Sequence, residues 1–325
     1  MKPKRIKKGD LIRVIAPVKS LKFVSDQSRE IAIERFEKFG FNLSFGKHVN
    51  EIDEFNSSSI ESRIEDLHNA FSDKSVDAIF TVIGGYNSNQ LLQYIDYDLI
   101  AKNPKIICGF SDVTALANAI TAKTGMITYL GPHFSSWGMK LGFEHSLEYF
   151  IKCCMENNSF QIFPSKEWSD DMWFADQENR EFIKNEGFLI INPGHAVGRV
   201  VGGHVRCLNA LQGTEYWPGL DDSILVFEED EEINPPLFDR QLQSLIHQAD
   251  FSGVQGILIG RFQKKTKMTK DLLQKIISTK KELKNIPIIA NLDVGHTTPQ
   301  MITPVGGSIE MFADQNNLNI KIIEH

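Results

Sequence analysis

KIICGFSDVTAL (105–116) sets a short apolar run, Ile106 to Cys108, before a polar turn and then a stretch from Asp112 with helical spacing. An unbroken apolar run marks a strand covered on both faces, and Gly109 permits a tight turn out of it. The same alternation extends outward on both sides. LIRVIAPV (11–18) reads as a strand, and SDQSREIAIERFEKFG (25–40) as an amphipathic helix stopped at Gly40. FNLSFG (41–46) is a strand, and SSSIESRIEDLHNAFSD (57–73) is a helix with Ile60, Ile64, Leu67 and Phe71 on one face. DAIFTVI (77–83) is a buried strand, SNQLLQYI (88–95) a helix and DVTALANAITAKTG (112–125) another. Strand and helix in strict turn predict an α/β domain with a parallel sheet covered on both faces. Ligands of such sheets bind beyond the carboxyl ends of the strands, so the turns after Val18, Ile83 and Gly109 are the ones to inspect.

The 325 residues exceed what one hydrophobic core usually serves, which predicts two domains. HSLEYFIKCCMENN (145–158) closes the first near residue 155, and the polar, Trp-containing stretch 156–186 reads as a linker or flap. From 187 to 325 short strands dominate: GFLII, VGRVVGG, DSILVFEE, GVQGILIGRF, IPIIANL, SIEMF and NLNIKII. Two helices, LFDRQLQSLIHQAD and TKDLLQKIISTKK, stand among them, so the second domain is expected to be β-rich α+β and barrel-like. With Lys+Arg 35 against Asp+Glu 42 the net charge is −7, which argues against a nucleic-acid partner. The basic start lacks the apolar core of a signal peptide, and LIRVIAPV is too short to cross a bilayer, so no membrane partner is expected. Cys108, Cys153, Cys154 and Cys207 form no Cys-x-x-Cys pair; they read as reduced thiols of a cytoplasmic protein without a metal site.

Ser111 stands two residues after Gly109 and opens a helix. Two readings are open: an N-cap, or a nucleophile on a strand-to-helix elbow, where the helix N–H groups, including that of Asp112, stabilise an oxyanion. Val113 occupies the place at which the hydrolase elbow motif has a glycine. Gly84 and Gly85 follow a buried strand directly, as an anion-binding turn requires, or as a plain turn allows. A serine nucleophile needs a base and the base an orienting acceptor. Among 9 histidines, His296 lies in a loop just past IPIIANL, punctuated by Gly295, Pro299 and Pro304. Glu228 is the first carboxylate after the apolar run ILVF; Glu229, Asp230, Glu231 and Glu232 read as surface.

IGGYNSNQLLQYIDYDLI (83–100), ICGFSDVTAL (107–116), GTEYWPGLDDSILVFEED (213–230) and DVGHTTPQMITPVGG (293–307), in this order, resemble the LD-carboxypeptidase, or muramoyltetrapeptide carboxypeptidase, family. The likeness runs from GDLIRVIAP (9–17) to the C-terminal strands. It implies a flavodoxin-like N-terminal domain, a β-rich C-terminal domain, a Ser111–Glu228–His296 triad, and an oxyanion hole from the N–H groups of Gly85 and Asp112. It further implies a homodimer that needs no metal or other cofactor. IGGYNSNQLL, ICGFSD and EWSDDMW (167–173) are most similar to the microcin C immunity branch, which implies an aminoacyl-nucleotide substrate and an aromatic stacked on its base, Trp173 or Trp168. Gly84, Tyr86, Trp173 and His204 are the expected substrate contacts, although the family commonly has Asn where His204 stands. The alternative substrate is a muropeptide ending in D-Ala. Two rivals are a non-catalytic ligand-binding protein and an amidotransferase-like enzyme, for which Cys108 lies three residues too early.

Overall fold

The computed structural model describes residues 1–325. Strands β1 (Leu11–Ile15), β2 (Asn42–Phe45), β3 (Ala78–Thr81), β4 (Ile106–Gly109) and β5 (Thr128–Leu130) form a parallel sheet in the order 2-1-3-4-5. A sixth strand, Thr303–Val305, joins from the far end of the chain and runs antiparallel to β5. Sequence periodicity indicates neither β5 nor this strand; each has three residues, too few for a pattern. Several helices begin where a side chain caps them. Ser25 accepts from the N–H of Ser28 at the start of Asp26–Lys38, and Ser59 accepts from Ser62 at the start of Ile60–Ser72. Helix Val113–Thr124 is buried from Val113 through Thr121 and ends at Gly125. SNQLLQYI forms 3₁₀ turns over Ser88–Tyr94 in place of the expected helix.

Downstream lie β6 (Phe160–Gln161), the antiparallel pair β7 (Glu167–Trp168) and β8 (Ile183–Lys184), then β9 (Leu189–Asn192), β10 (Gly194–His204), β11 (Ser223–Glu228), β12 (Val254–Gly260) and β13 (Ile288–Leu292). The strand Thr303–Val305 is β14, followed by β15 (Ser308–Ala313) and β16 (Leu318–Glu324). Eight of these build a second sheet, ordered 6-16-15-10-11-12-13-9, with β10 to β13 mutually parallel. β6 bonds only to β16 and β9 only to β13, so the sheet keeps two free edges and the expected barrel does not close. The architecture is mixed α/β: a parallel sheet with helices, and a second, β-rich sheet carrying helices Pro235–Ile246 and Lys270–Ser278.

Each sheet has its own core. In the first, Phe36 stacks on Trp137 at 3.9 Å and meets Phe80 edge-on at 5.4 Å. Removing a fully buried aromatic ring forfeits its transfer energy and leaves a cavity. Phe36→Ala is expected to lower unfolding free energy by about 3–5 kcal/mol, read from the midpoint of a urea titration.

Candidate active site

Three turns at the carboxyl edge of the first sheet converge: Pro17–Ser20 after β1, Gly84–Tyr86 after β3 and Phe110–Asp112 after β4. Ser111 adopts φ +60°, a left-handed conformation that costs a non-glycine residue energy. Asp112, not Ser111, occupies the cap position of the following helix. Its side chain makes no cap bond and instead accepts from the N–H of Ser88 at 2.8 Å. The Ser111 hydroxyl is thereby free for other work, and of its two readings the cap is excluded.

The second sheet supplies what the hydroxyl meets. His296 Nε2 lies 3.1 Å from Ser111 Oγ, and His296 Nδ1 lies 2.6 Å from Glu228 Oε2. Glu228 ends β11 and His296 follows β13, so the three residues come together from two sheets. Burial alone would raise the Glu228 carboxyl, but His296 and, less strongly, His204 outweigh it and hold the group below the usual carboxylate range. It therefore stays ionised and fixes the imidazole with Nδ1–H as donor. The N–H groups of Gly85 and Asp112 donate to no protein acceptor, leaving both available to a developing oxyanion. Gly84 has to be a glycine here: a Cβ would stand 2.9 Å from Ser111 Cβ and 3.0 Å from its Oγ.

These groups face a cavity of about 420 Å³. Gly84, Gly85, Tyr86, Ser111, His296 and Trp173 line it, as do Met172 and Phe174 of the 156–186 stretch. The bridge Ser169–Thr298, with N–H···O bonds of 2.7 and 2.8 Å, ties that stretch to the loop carrying His296. Two expected contacts lie elsewhere. Trp168 is held in the β7–β8 pair with its ring 5.0 Å from the Arg261 guanidinium, away from the cavity lining. His204 is also off the lining: it is buried beside Glu228 in the β10–β11 register and within ion-pair distance of Glu229 (3.2 Å) and Asp230 (3.3 Å). Burial disfavours its charge, yet the facing Asp230, Cys207 and Glu229 raise its pKa well above the usual value.

The acidic run is likewise not all surface. Glu229 is only 1% exposed, because Arg206 and His204 neutralise it. His204, Glu229 and Asp230 are spaced closely enough to hold a cation, but Arg206 donates into both carboxylates and supplies that charge from within the protein. One cavity residue has no sequence signal at all. His133 is buried, with Nδ1 2.8 Å from Thr81 Oγ1 and Nε2 unpartnered; burial, then His296, pushes its pKa down to about 3, so it is a neutral wall beside Gly84.

Comparison with known proteins gives the arrangement its relatives. A family profile described as the LD-carboxypeptidase N-terminal domain matches residues 12–131, and its C-terminal counterpart matches residues 197–311. The chain belongs to the LD-carboxypeptidase family. It is accordingly a peptidase by membership. YocD of Bacillus subtilis, provisionally named a carboxypeptidase, is 50% identical over 321 residues, 99% of each chain. The crystal structure of an MccF-like protein from Bacillus anthracis superposes with a TM-score of 0.99 at 50% identity, covering 100% of both chains. The microcin C7 self-immunity protein MccF of Escherichia coli is 30% identical over 306 residues, 90% of this chain and 87% of that one. A structure of MccF with glutamyl sulfamoyl guanosine gives a TM-score of 0.90 at 27% identity, covering 99% and 98%.

Gly84→Ala is expected to displace Ser111 Oγ or the turn itself and so to slow covalent labelling by a fluorophosphonate at least about tenfold, since a small misplacement in an active site carries a large rate cost. Labelling at the wild-type rate would show that the turn has slack the packing does not suggest.

Proposed function

We propose that the chain is a serine carboxypeptidase in which Ser111 is the nucleophile, His296 the base and Glu228 the orienting acid. The observation that carries this reading is the unbroken hydrogen-bond path Ser111 Oγ–His296 Nε2–Glu228, ending on a serine at φ +60°. His296 Nε2 takes the hydroxyl proton as Oγ attacks the scissile carbonyl, and the N–H groups of Gly85 and Asp112 hold the oxyanion. The imidazolium, offset by Glu228, then protonates the leaving nitrogen. Water, deprotonated by the same imidazole, releases the acyl group. The sequence of steps needs no metal or cofactor.

The preferred substrate is a small peptide-like amide of the microcin C type, an aminoacyl nucleotide. Support comes from MccF, which binds glutamyl sulfamoyl guanosine, and from Trp173, an aromatic in the cavity wall able to stack on a base. A peptide ending in a D-residue, the substrate class of the family's name, is the second reading; the family membership favours it equally. On either reading residues 1–155 form the nucleophile domain, which the 2-1-3-4-5 strand order supports as flavodoxin-like. Residues 187–325 bring the acid and base, and 156–186 act as a flap over the cavity. A cytoplasmic homodimer completes the proposal; no helix is long and apolar enough to cross a membrane.

Ser111→Ala is expected to abolish hydrolysis of both substrate classes while leaving the unfolding midpoint unchanged; residual turnover at the wild-type rate would refute the nucleophile. Glu228→Gln is expected to lower kcat on the order of 10⁴-fold, the scale for loss of an orienting carboxylate in a serine triad. A wild-type protein that binds either ligand but takes up no fluorophosphonate would instead be a non-catalytic binding protein.

A further inference from the structure

Five carboxylates line the cavity, Asp170, Asp171, Asp230, Glu231 and Glu232, and each has a basic side chain beside it, with Arg206 shared among Asp230, Glu232 and the buried Glu229. Lys264 faces Asp170 at 3.7 Å, Arg180 meets Asp171 at 2.7 Å, Lys265 meets Glu231 at 2.8 Å, and Arg206 serves both Asp230 and Glu232. The only Lys or Arg in the lining, Lys19, has no carboxylate within ion-pair distance. The lining carboxylates are thus engaged by other basic groups, and Lys19 is the cation of the lining that no carboxylate holds.

Lys19 is also placed, not dangling. It follows β1, in the crevice between the turns of β1 and β3, where the strand order 2-1-3-4-5 reverses direction; ligands of open α/β sheets collect at such switch points. Its turn is fixed from several sides. Ser57 Oγ donates to Val18 O at 2.6 Å, Ser20 N–H donates to Asn56 O, and the Arg63 guanidinium joins Pro17 O to Asn87 O, stitching the two turns together. The ammonium lies 5.5 Å from the Tyr86 ring and 5.8 Å from the Phe23 ring, two faces that favour a cation. A Cβ on Gly85 would stand 3.2 Å from Lys19 Cγ and 3.6 Å from Cε, so the side chain runs directly along the turn whose N–H faces the oxyanion.

We propose that Lys19 recognises the anion carried by the leaving group. This rests on the serine-peptidase reading and gives it a substrate rule. The two substrate classes share one feature. In an acyl N-phosphoryl nucleotide the anion is bonded to the leaving nitrogen itself; in a peptide ending in a free residue the carboxylate is one carbon further on. A cation bordering the oxyanion turn fits both, and it excludes amides whose leaving side is neutral or extended.

The experiment uses two matched pairs of substrates: an L,D-tetrapeptide ending in D-Ala with its C-terminal carboxamide, and a glutamyl N-phosphoryl adenosine with its neutral phosphate methyl ester. Lys19→Met is expected to lose about 10- to 100-fold in kcat/KM on the anionic member of the preferred pair, mainly through KM, as loss of a hydrogen bond to a charged group implies. The neutral member should be cleaved equally poorly by wild type and variant, and Lys19→Arg should recover most of the loss. The pair that shows the effect identifies the source of the anion. Equal losses on charged and neutral members, or no loss on either anion, would overturn the proposal. Calorimetric binding of the anionic ligands to Ser111→Ala, with and without Lys19→Met, reads the same contact without turnover, so a failed nucleophile and a failed anion contact give different results: only the second leaves binding to the double variant undiminished.

Discussion

Two glycines set the distance across which the catalytic groups meet. Gly202 and Gly203 of β10 lie at φ +142° and +121°; Gly203 packs against Thr114 of helix Val113–Thr124, and Gly202 against the backbone of Val226 in β11. A Cβ on Gly203 would stand 2.5 Å from both Thr114 Oγ1 and Leu130 Cδ1; one on Gly202 would stand 2.0 Å from Val226 O. The contact is then keyed by hydrogen bonds: the Asn118 carboxamide pairs with both the N–H and the carbonyl of Gly202, and His204 N–H donates to Thr114 Oγ1. β10 in turn holds β11 in register, His204 beside Glu228. The helix that begins after Ser111 is thus locked to the strand beside the one that ends at Glu228, and the 3.1 and 2.6 Å bonds of the serine–histidine–glutamate path follow from that lock.

The same strand carries the electrostatic backing of the site. Glu228 is a buried carboxylate with two histidines around it, and a buried charge persists only where it is paired. His296 faces the nucleophile, whereas His204, its ring centroid 5.5 Å away, faces Glu229 and Asp230 and is charged through them. His204 therefore belongs to the support of the acid, not to the substrate surface.

Local order in the sequence made the first sheet legible. Apolar runs and helical spacing repeat there, and Gly109 with Ser111 and the Gly84–Gly85 pair stand at strand ends where turns can be read directly. The meeting of Glu228 and His296 was not legible from periodicity, because the two residues stand 68 positions apart; only resemblance linked them. Other features fail for identifiable reasons. β5 and β14 are three residues long and are defined by long-range pairing, β5 with β4 and β14 with β5. Glu229 reads as solvated because nothing in ILVFEEDEE announces Arg206 and His204 as its partners. His133 and Lys19 acquire meaning only once the turns converge on one cavity.

β14 has a consequence for how the gene can be divided. The two stretches that match the family lie apart in sequence, which invites expression of the N-terminal one alone. Yet Thr303–Val305, from the C-terminal stretch, covers the outer edge of β5. A fragment cut before it would present unpaired N–H and C=O groups on Thr128–Leu130, the kind of open edge that recruits other chains into aggregates. The modular boundary written in the sequence is thus not a boundary of independent solubility, and the chain behaves as one unit of manufacture.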